Sequence, residues 1–214
     1  KMLKINIKKY FIMKKIIIIG AGAMGSAFTV PCLENKNEVT LIGTHLEDEL
    51  INNIQLNKNF HPALNIELPA KLKVEKYERL KSILEGGVDI IVAGVSSIGI
   101  AWFVDQIAKN YKKNLPIILL TKGLAIEDNE LITLSDKIKK LLYQKGHEEV
   151  NVSAIKGPCL AAGLANKMRT GTVIANPNIK EAQNLKKIVS TEYYSTEISD
   201  DLTGIELSGA IKNI

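Results

Sequence analysis

The stretch Ile16-Ile-Ile-Ile-Gly20-Ala-Gly22-Ala-Met-Gly25 decides the fold of this chain. Its four isoleucines are typical of a strand that is buried on both faces. The spacing G-x-G-x-x-G follows at once and opens an Ala- and Ser-containing helical stretch, which is the context of a dinucleotide-binding loop. There Gly20 permits the tight turn, Gly22 lets the backbone approach a pyrophosphate, and Gly25 lets helix and strand pack closely. Glycines that serve only the turn are the simpler alternative.

Strand-like and helix-like segments alternate along the rest of the chain. The predicted strands are 16–19, 39–42, 72–74, 88–95, 116–120, 150–155, 172–175 and 193–197. The predicted helices are 23–33, 77–85, 98–109, 130–145, 160–167 and 179–190. Residues 47–53 begin a further helical stretch. A polar loop is expected between Gly123 and Glu130. Such alternation predicts βαβ units, and therefore an α/β fold of the Rossmann type with a doubly wound, mainly parallel sheet. Ligands of such sheets bind beyond the carboxyl ends of the strands.

The composition excludes several classes of protein. The 214 residues are 46% apolar and 24% charged, which are ordinary globular values and exclude disordered, collagenous and disulfide-scaffold chains. The net charge of +5 is spread along the chain, so we expect no nucleic-acid partner. Two cysteines give no disulfide framework and fit a cytoplasmic location.

The N-terminal part needs two further expectations. Residues 1–12 are basic and poorly patterned, so we treat them as an extra segment ahead of a start at Met13, with a short strand through Ile5–Ile7 as the alternative. The uncharged run between Lys15 and Glu34 has the outline of a membrane span. Its glycines and Pro31 weaken a continuous helix, and we therefore expect no membrane span.

The acidic residue that usually binds the hydroxyls of the adenosine ribose is missing from the end of the second strand. That strand ends Ile42-Gly43-Thr44-His45, and the first acid after it is Glu47. Thr44 or His45 can accept either a ribose hydroxyl or a 2′-phosphate, so the choice between NAD and NADP stays open. An exposed loop position without a ligand is the alternative for His45.

Polar residues also follow the later strands. Ser96 lies where a nicotinamide ribose is expected, although Ser97 is equally suited to capping the next helix. Lys122 stands between a strand end and Gly123, a position suited to holding a carbonyl oxygen or a phosphate. Cys159 precedes a predicted helix, which favours a thiolate nucleophile, whereas a small packing residue is the simpler reading.

The chain resembles the NAD(P)-dependent glycerol-3-phosphate dehydrogenase family from Met13 to Ile214. The residues that carry the resemblance are the glycine loop, Thr121-Lys-Gly123, Gly157-Pro158 with Ala161, and the segment Asp201 to Asn213. That last segment matches the pattern D-x-x-G-x-E-x-x-[GS]-A-x-K-N, which is far more specific than any glycine loop. Its Glu206, Gly209 and Asn213 repeat at helical spacing, as in a cleft wall or a helix-packing surface.

The resemblance implies an oxidoreductase that transfers hydride between NAD(P)H and dihydroxyacetone phosphate, giving sn-glycerol 3-phosphate for glycerophospholipid synthesis. Lys212 would be the catalytic acid/base, and Lys122 would stabilise the same C2 oxygen and touch the cofactor. The further residues implied are, for the cofactor, Gly20, Gly22, Ala23, Met24, Gly25, Thr44, Ser96 and Ala161, and, for the small phosphorylated substrate, Gly157, Cys159 and Asn213. The resemblance also allows a homodimer of the full-length enzyme.

Several positions depart from the family pattern. Cys159 stands where the family has serine or another small residue, Gly163 replaces a glutamate, Arg169-Thr170 replaces Pro-Thr, and Thr44 replaces an arginine. The sequence stops at Ile214 without the family's all-helical second domain. We therefore expect residues 13–190 to form the NAD(P)-binding domain, and 191–214 to be a connector and the truncated start of the helical domain.

Two other functions compete with this interpretation. One is a catalytically incompetent fragment that only binds dinucleotide, which the change to Gly163 and the abrupt end favour for this polypeptide. The other is a reductase similar to ketopantoate reductase or 6-phosphogluconate dehydrogenase, since these enzymes share a glycine loop and a helix-borne lysine. Thr121-Lys-Gly123 and the Asp201–Asn213 segment argue against the second.

Overall fold

The computed structural model describes residues 13–211. The expectations for residues 1–12 and the roles of Lys212 and Asn213 fall outside these described residues. The strands are β1 (Lys15–Ile19), β2 (Glu38–Ile42), β3 (Phe60–His61), β4 (Ile66–Glu67), β5 (Lys73–Glu75), β6 (Ile90–Ala93), β7 (Ile117–Leu119), β8 (Leu124–Glu127), β9 (Glu130–Thr133), β10 (Val152–Lys156), β11 (Thr170–Ala175) and β12 (Tyr194–Ser199). The helices are α1 (Ala23–Glu34), α2 (Asp48–Leu56), α3 (Leu80–Glu85), α4 (Ile100–Ile107), α5 (Leu134–Gln144), α6 (Ala161–Ala165), α7 (Ile179–Val189) and α8 (Leu202–Ile211), with 3-10 turns at Tyr77–Arg79 and Ala108–Asn110.

Eight strands form one sheet in the order β12-β11-β10-β7-β6-β1-β2-β5. All neighbours are parallel except β10 and β11, which are antiparallel. The doubly wound, mainly parallel sheet expected from the sequence is therefore confirmed. From β1 the chain builds outward to β2 and β5, and then returns to add β6, β7 and β10 on the other side. The order reverses between β1 and β6, which is where such folds open a ligand crevice.

The isoleucines of β1 lie between two hydrophobic layers, as the sequence predicts. Ile16 and Ile18 belong to the layer that contains Phe28 of α1. Ile17 and Ile19 belong to the opposite layer, which contains Phe103 of α4. All four side chains are at most 2% exposed. Because successive side chains of a strand point to opposite faces, an unbroken apolar run is required where both faces are covered.

Two expectations along the chain are wrong, and both concern residues 123–133. The expected polar loop is the β-hairpin β8–β9, and the helix expected from Glu130 begins only at Leu134. Asp128 and Asn129 form the hairpin's tip with φ values of 51° and 65°, which two-residue hairpin turns require and which these residue types tolerate. Thr133 then ends β9 and caps α5, because its Oγ1 accepts a hydrogen bond from the Asp136 N–H at 3.1 Å.

None of the helices within residues 13–211 has the length and apolar character needed to cross a membrane. The uncharged stretch after Lys15 is divided between β1, the glycine turn and the twelve-residue α1. Its hydrophobicity therefore serves the interior of the sheet.

Candidate dinucleotide and substrate site

The glycine loop joins β1 to α1 at the reversal point of the sheet. Gly20 has a φ of +108°, and a Cβ on it would lie 2.7 Å from the carbonyl of Gly94, which follows β6. A Cβ on Gly25 would collide with the carbonyl oxygen of Gly20. A Cβ on Gly22, by contrast, would meet nothing within 4 Å. The fold thus explains Gly20 and Gly25, whereas the open space at Gly22 suits a ligand.

The first turn of α1 is directed at this space. Gly22 is the N-cap residue, and Ala23 and Met24 are the first two residues of the helix. The first N–H groups of a helix have no intrahelical acceptor and carry a partial positive charge. This arrangement suits an anion such as a pyrophosphate.

Glu47 brings a carboxylate to the loop at the end of β2, where none was expected. Its Oε2 accepts hydrogen bonds from the Thr44 N–H at 2.8 Å and from the Ala21 N–H at 3.0 Å. The spacing Thr44-x-x-Glu47 is that of a capping box, a signal that was available in the sequence. Glu47 therefore ties the loop after β2 to the glycine loop.

An aromatic cluster lies on the same side of the crevice. The ring of His45 is 5.0 Å from that of Trp102, and the ring of Tyr77 is 5.6 Å from Trp102. These residues come from the loop after β2, the 3-10 turn after β5, and α4. His45 is exposed to solvent, which agrees with the loop position given as the alternative, and its ring is tilted by 43° against that of Trp102. Pattern reading missed the cluster because its members are far apart in sequence.

His61 supports the glycine loop from below. It is 1% exposed, and its Nε2 lies 2.9 Å from the Ala21 carbonyl oxygen. The Leu64 N–H donates to its Nδ1 at 3.3 Å. Because Nδ1 accepts this hydrogen bond, we assign the ring hydrogen to Nε2, which then donates to the Ala21 carbonyl. The small β3–β4 hairpin thereby buttresses the turn at Ala21.

Ser96 lies in the exposed loop beyond β6, at the edge where a nicotinamide ribose was expected. The capping role considered for Ser97 is wrong, because α4 begins at Ile100 with Gly99 as its N-cap. The serine side chains at this edge are thus not used to start the helix.

The residues expected at the substrate end come together around a small cavity. Lys122, Gly157 and Cys159 line it, and Met24 of α1 also reaches it. The Lys122 Nζ lies 3.4 Å from the Gly157 carbonyl oxygen. Thr121, the residue before Lys122, is anchored because its hydroxyl donates a hydrogen bond to the Val95 carbonyl at 2.6 Å. The turns after β7 and β10 therefore meet beside the first turn of α1.

Cys159 is a buried part of the core around Phe28 and Tyr194, at 4% exposure. The helix after it, α6, is five residues long and begins at the half-buried Ala161. These observations favour the packing role for Cys159 over the nucleophile. The resemblance implies a glutamate at position 163, where this chain has glycine. A Cβ added to Gly163 would lie 3.9 Å from the Met168 side chain, with no closer contact among the described residues.

Lys156 is a buried lysine at this end of the site that sequence reasoning did not single out. It is 3% exposed, and its Nζ donates to the carbonyl oxygens of Leu119, at 3.2 Å, and Thr121. Burial lowers its pKa to about 8; the charge of Glu206 opposes this shift and that of Lys122 adds to it. A last strand residue in a lysine-rich chain gives no sequence signal of burial.

Helix α8 covers Lys156 with its polar and glycine-containing face. Glu206 is fully buried, and its Oε1 accepts a hydrogen bond from the Ser135 N–H at 3.2 Å. Within residues 13–211 no hydrogen-bond partner reaches its Oε2. A Cβ on Gly209 would lie 3.1 Å from the side-chain carbons of Lys156. Of the two readings of this face, the helix-packing surface therefore describes Glu206 and Gly209.

Lys212 and Asn213 follow the last described residue of α8, and no contact is assigned to them. In the part of the chain that the structure describes, no group of three or more His, Cys, Asp and Glu side chains is arranged to hold a metal ion.

Comparison with known proteins identifies close relatives. The family model described as NAD-dependent glycerol-3-phosphate dehydrogenase N-terminus matches residues 15–182. The NADP(+)-dependent glycerol-3-phosphate dehydrogenase of Archaeoglobus fulgidus is 34% identical over 93% of this chain and 57% of its own length. The glycerol-3-phosphate dehydrogenase [NAD(P)+] of Mesoplasma florum is 32% identical over 94% of this chain and 58% of its own length. The chain thus spans less than two thirds of these relatives.

The fold is also that of a solved structure. The crystal structure of glycerol-3-phosphate dehydrogenase from Coxiella burnetii superimposes with a TM-score of 0.81 at 24% identity, over 94% of this chain and 58% of that one. At this identity the likeness concerns the fold.

The different surroundings of Gly25 and Gly22 give a first prediction. Gly25→Ala should lower the free energy of unfolding by about 1–3 kcal/mol, because the new methyl group is forced against the Gly20 carbonyl. The matched variant Gly22→Ala has open space and should stay within about 1 kcal/mol of the wild type. Urea unfolding of the chain followed by circular dichroism measures both values. Equal losses would contradict the difference between the two sites.

Lys156 gives a second prediction, because its pKa is lowered from 10.5 to about 8 in the folded chain. Between these two pH values the unfolded state binds more protons than the folded state, so this lysine makes the free energy of unfolding rise with pH. The wild-type value minus the Lys156→Met value should increase by about 2 kcal/mol from pH 7 to pH 10. Denaturant unfolding at several pH values measures it.

The exposed Lys187 of α7 provides the control for that experiment. The wild-type value minus the Lys187→Met value should not change with pH over the same range. A constant difference for Lys156→Met as well would rule out a buried, pH-sensitive amine at position 156.

Proposed function

The chain belongs to the NAD-dependent glycerol-3-phosphate dehydrogenase family, and we propose that it forms the NAD(P)-binding part of an enzyme that reduces dihydroxyacetone phosphate to sn-glycerol 3-phosphate. The observation that carries this proposal is the meeting of Met24 with Lys122 and Gly157 around one cavity. It joins the helix terminus suited to a pyrophosphate to the lysine suited to a carbonyl oxygen. We further propose a cytoplasmic homodimer whose product enters glycerophospholipid synthesis.

The residues on the cofactor side fit a dinucleotide. Gly22 leaves a space that a Cβ would enter, and in the proposal the N–H groups of Ala23 and Met24 donate hydrogen bonds to an anion there. The Thr44 loop, with Glu47 behind it, suits the adenosine end, and Ser96 and Ala161 suit the nicotinamide end. A hydroxyl or a phosphate on the ribose can be accepted here, so both NAD and NADP remain cofactors of the proposal.

When bound, NAD(P)H supplies the hydride that reduces the C2 carbonyl. In the proposal the ammonium group of Lys122 donates a hydrogen bond to the C2 oxygen and stabilises its growing negative charge. Lys212 gives that oxygen its proton, so that the carbonyl becomes a hydroxyl. Gly157, Cys159 and Asn213 line the substrate. In the reverse direction Lys212 takes the proton from the hydroxyl.

Dinucleotide binding by this chain is the third prediction. The sequence contains one tryptophan, Trp102, and its ring lies 5.0 Å from that of His45, in the loop proposed for the adenosine end. NADH or NADPH should therefore quench its fluorescence and gain emission by energy transfer. Gly22→Ala should raise the dissociation constant about tenfold or more, because the methyl group enters the pyrophosphate space.

A fluorescence titration of wild type and Gly22→Ala tests this prediction. Since Gly22→Ala is expected to leave stability nearly unchanged, weaker binding cannot be attributed to unfolding. Equal affinity in the two proteins would remove the assigned pyrophosphate site.

Turnover is the fourth prediction. A complete enzyme that contains this sequence should oxidise NADH or NADPH with dihydroxyacetone phosphate and not with ketopantoate, whereas we expect the 214-residue chain alone to be inactive. Lys212→Met should lower the turnover rate about 100- to 10,000-fold, because the proton donor is lost, while the dissociation constant of the dinucleotide stays unchanged. Absorbance at the reduced nicotinamide band measures the rate. Full activity of Lys212→Met, or a preference for ketopantoate, would refute the assignment.

A further inference from the structure

Two lysines connect the turns after β7 and β10 in a reciprocal way. The Lys156 Nζ donates to the carbonyl oxygen of Thr121, the residue before Lys122. The Lys122 Nζ in turn lies 3.4 Å from the carbonyl oxygen of Gly157, the residue after Lys156. Each lysine thus reaches the backbone beside the other, and together they fasten the two turns.

Burial of the Lys156 amine costs free energy unless hydrogen bonds replace those that it makes with water. Its side chain is 3% exposed, and no carboxylate of residues 13–211 lies within 4 Å of its nitrogen. Glu206 acts on it only at longer range. The compensation comes from the carbonyl oxygens of Leu119 and Thr121, which are themselves buried at the end of β7. A buried amine that is satisfied only by backbone acts on the position of that backbone.

Helix α8 also packs against the side chain of Lys156. Gly209 of α8 leaves the room that the lysine methylenes occupy, since a Cβ there would be 3.1 Å from them. Glu206 lies on the same helix and is anchored by the Ser135 N–H. Lys156 is therefore enclosed between α8 and the turn that carries Lys122, and its nitrogen has little freedom to leave the two carbonyls.

We propose that Lys156 is a positioning residue that holds Lys122 at the nicotinamide end of the dinucleotide site. The inference rests on the proposed function, because it takes Lys122 as a cofactor contact. Without the Lys156 amine the carbonyl of Thr121 loses its donor, and the residue that follows is Lys122. Thr121 keeps its side-chain bond to Val95, so the turn shifts without being released from the sheet.

The position of Lys122 in the sheet makes this proposal testable by binding. Lys122 follows β7, which is two strand positions from β1 and the glycine loop, a distance of about 10 Å. ADP has the adenosine and pyrophosphate but lacks the nicotinamide half. A change in Lys122 should therefore affect NADH and leave ADP unaffected.

The experiment compares the dissociation constants of NADH and ADP, from Trp102 fluorescence, in the wild type and three variants. Lys156→Met keeps the side-chain length and removes the donor, and it should weaken NADH about tenfold while ADP stays within about twofold. Lys156→Gln keeps a donor without charge and should restore part of the NADH affinity. Lys187→Met removes an exposed lysine and should change neither value.

Two outcomes in Lys156→Met would overturn the inference. Unchanged NADH affinity in Lys156→Met would show that the amine does not position a cofactor contact. Equal weakening of NADH and ADP would show a general loss of structure. If Lys156→Met does not fold, Lys156→Gln decides: NADH affinity a few-fold below wild type at unchanged ADP affinity supports the positioning role, whereas wild-type affinity for both ligands, or an equal loss of both, overturns it. A wild-type chain that binds neither ligand refutes the proposed function itself.

Discussion

The close approach of three backbones at the reversal point of the sheet is the constraint on which the rest of the structure depends. Gly20 follows β1, Gly25 lies in the first turn of α1, and Gly94 follows β6. A Cβ on Gly94 would lie 3.0 Å from the Gly20 oxygen and 3.2 Å from the Gly25 Cα. The helix terminus can lie this near the strand ends because all three positions are glycines, which have no Cβ. The contact thereby places the N-terminus of α1 at the point where the strand order reverses, beyond the ends of β1 and β6.

The two ends of the crevice are built by different physics. At the adenosine side, backbone groups are tied by Glu47 and His61, and aromatic rings pack beside them. At the other side, the buried Lys156 satisfies the carbonyls of Leu119 and Thr121, while Glu206 supplies an opposite charge. Met24 reaches the cavity of the lysine side from α1. An extended ligand with a central anion would thus meet a fixed helix terminus in the middle and two differently adapted ends.

Residue pattern predicts the parts of this molecule that depend on local chemistry. The Ile16–Ile19 run, the G-x-G-x-x-G spacing and the strand–helix alternation identify the sheet and the phosphate loop because each reflects a neighbouring-residue requirement. The β8–β9 hairpin was missed because Asp128-Asn129 reads as loop composition, although both residues tolerate positive φ. Glu47 and Lys156 were missed for another reason. The bond from Glu47 to Thr44 is local, but its bond to Ala21, 26 positions away, and the bonds of Lys156 to residues 35 and 37 positions away are contained in no local pattern.

Lys156 illustrates why a buried charge is informative where an exposed one is not. The chain has 28 basic residues, and most can be placed at the surface without consequence. A lysine that loses its water on burial needs hydrogen-bond acceptors in the protein, and its bonds then restrain the positions of those acceptors. Here the acceptors are the last carbonyl of β7 and the carbonyl before Lys122. The requirement for Gly209 in the covering helix follows from the same side chain, since its methylenes fill the volume beneath α8. One buried amine therefore relates the turn of Lys122 to the helix that leads toward Lys212, two segments that sequence similarity alone treats as separate motifs.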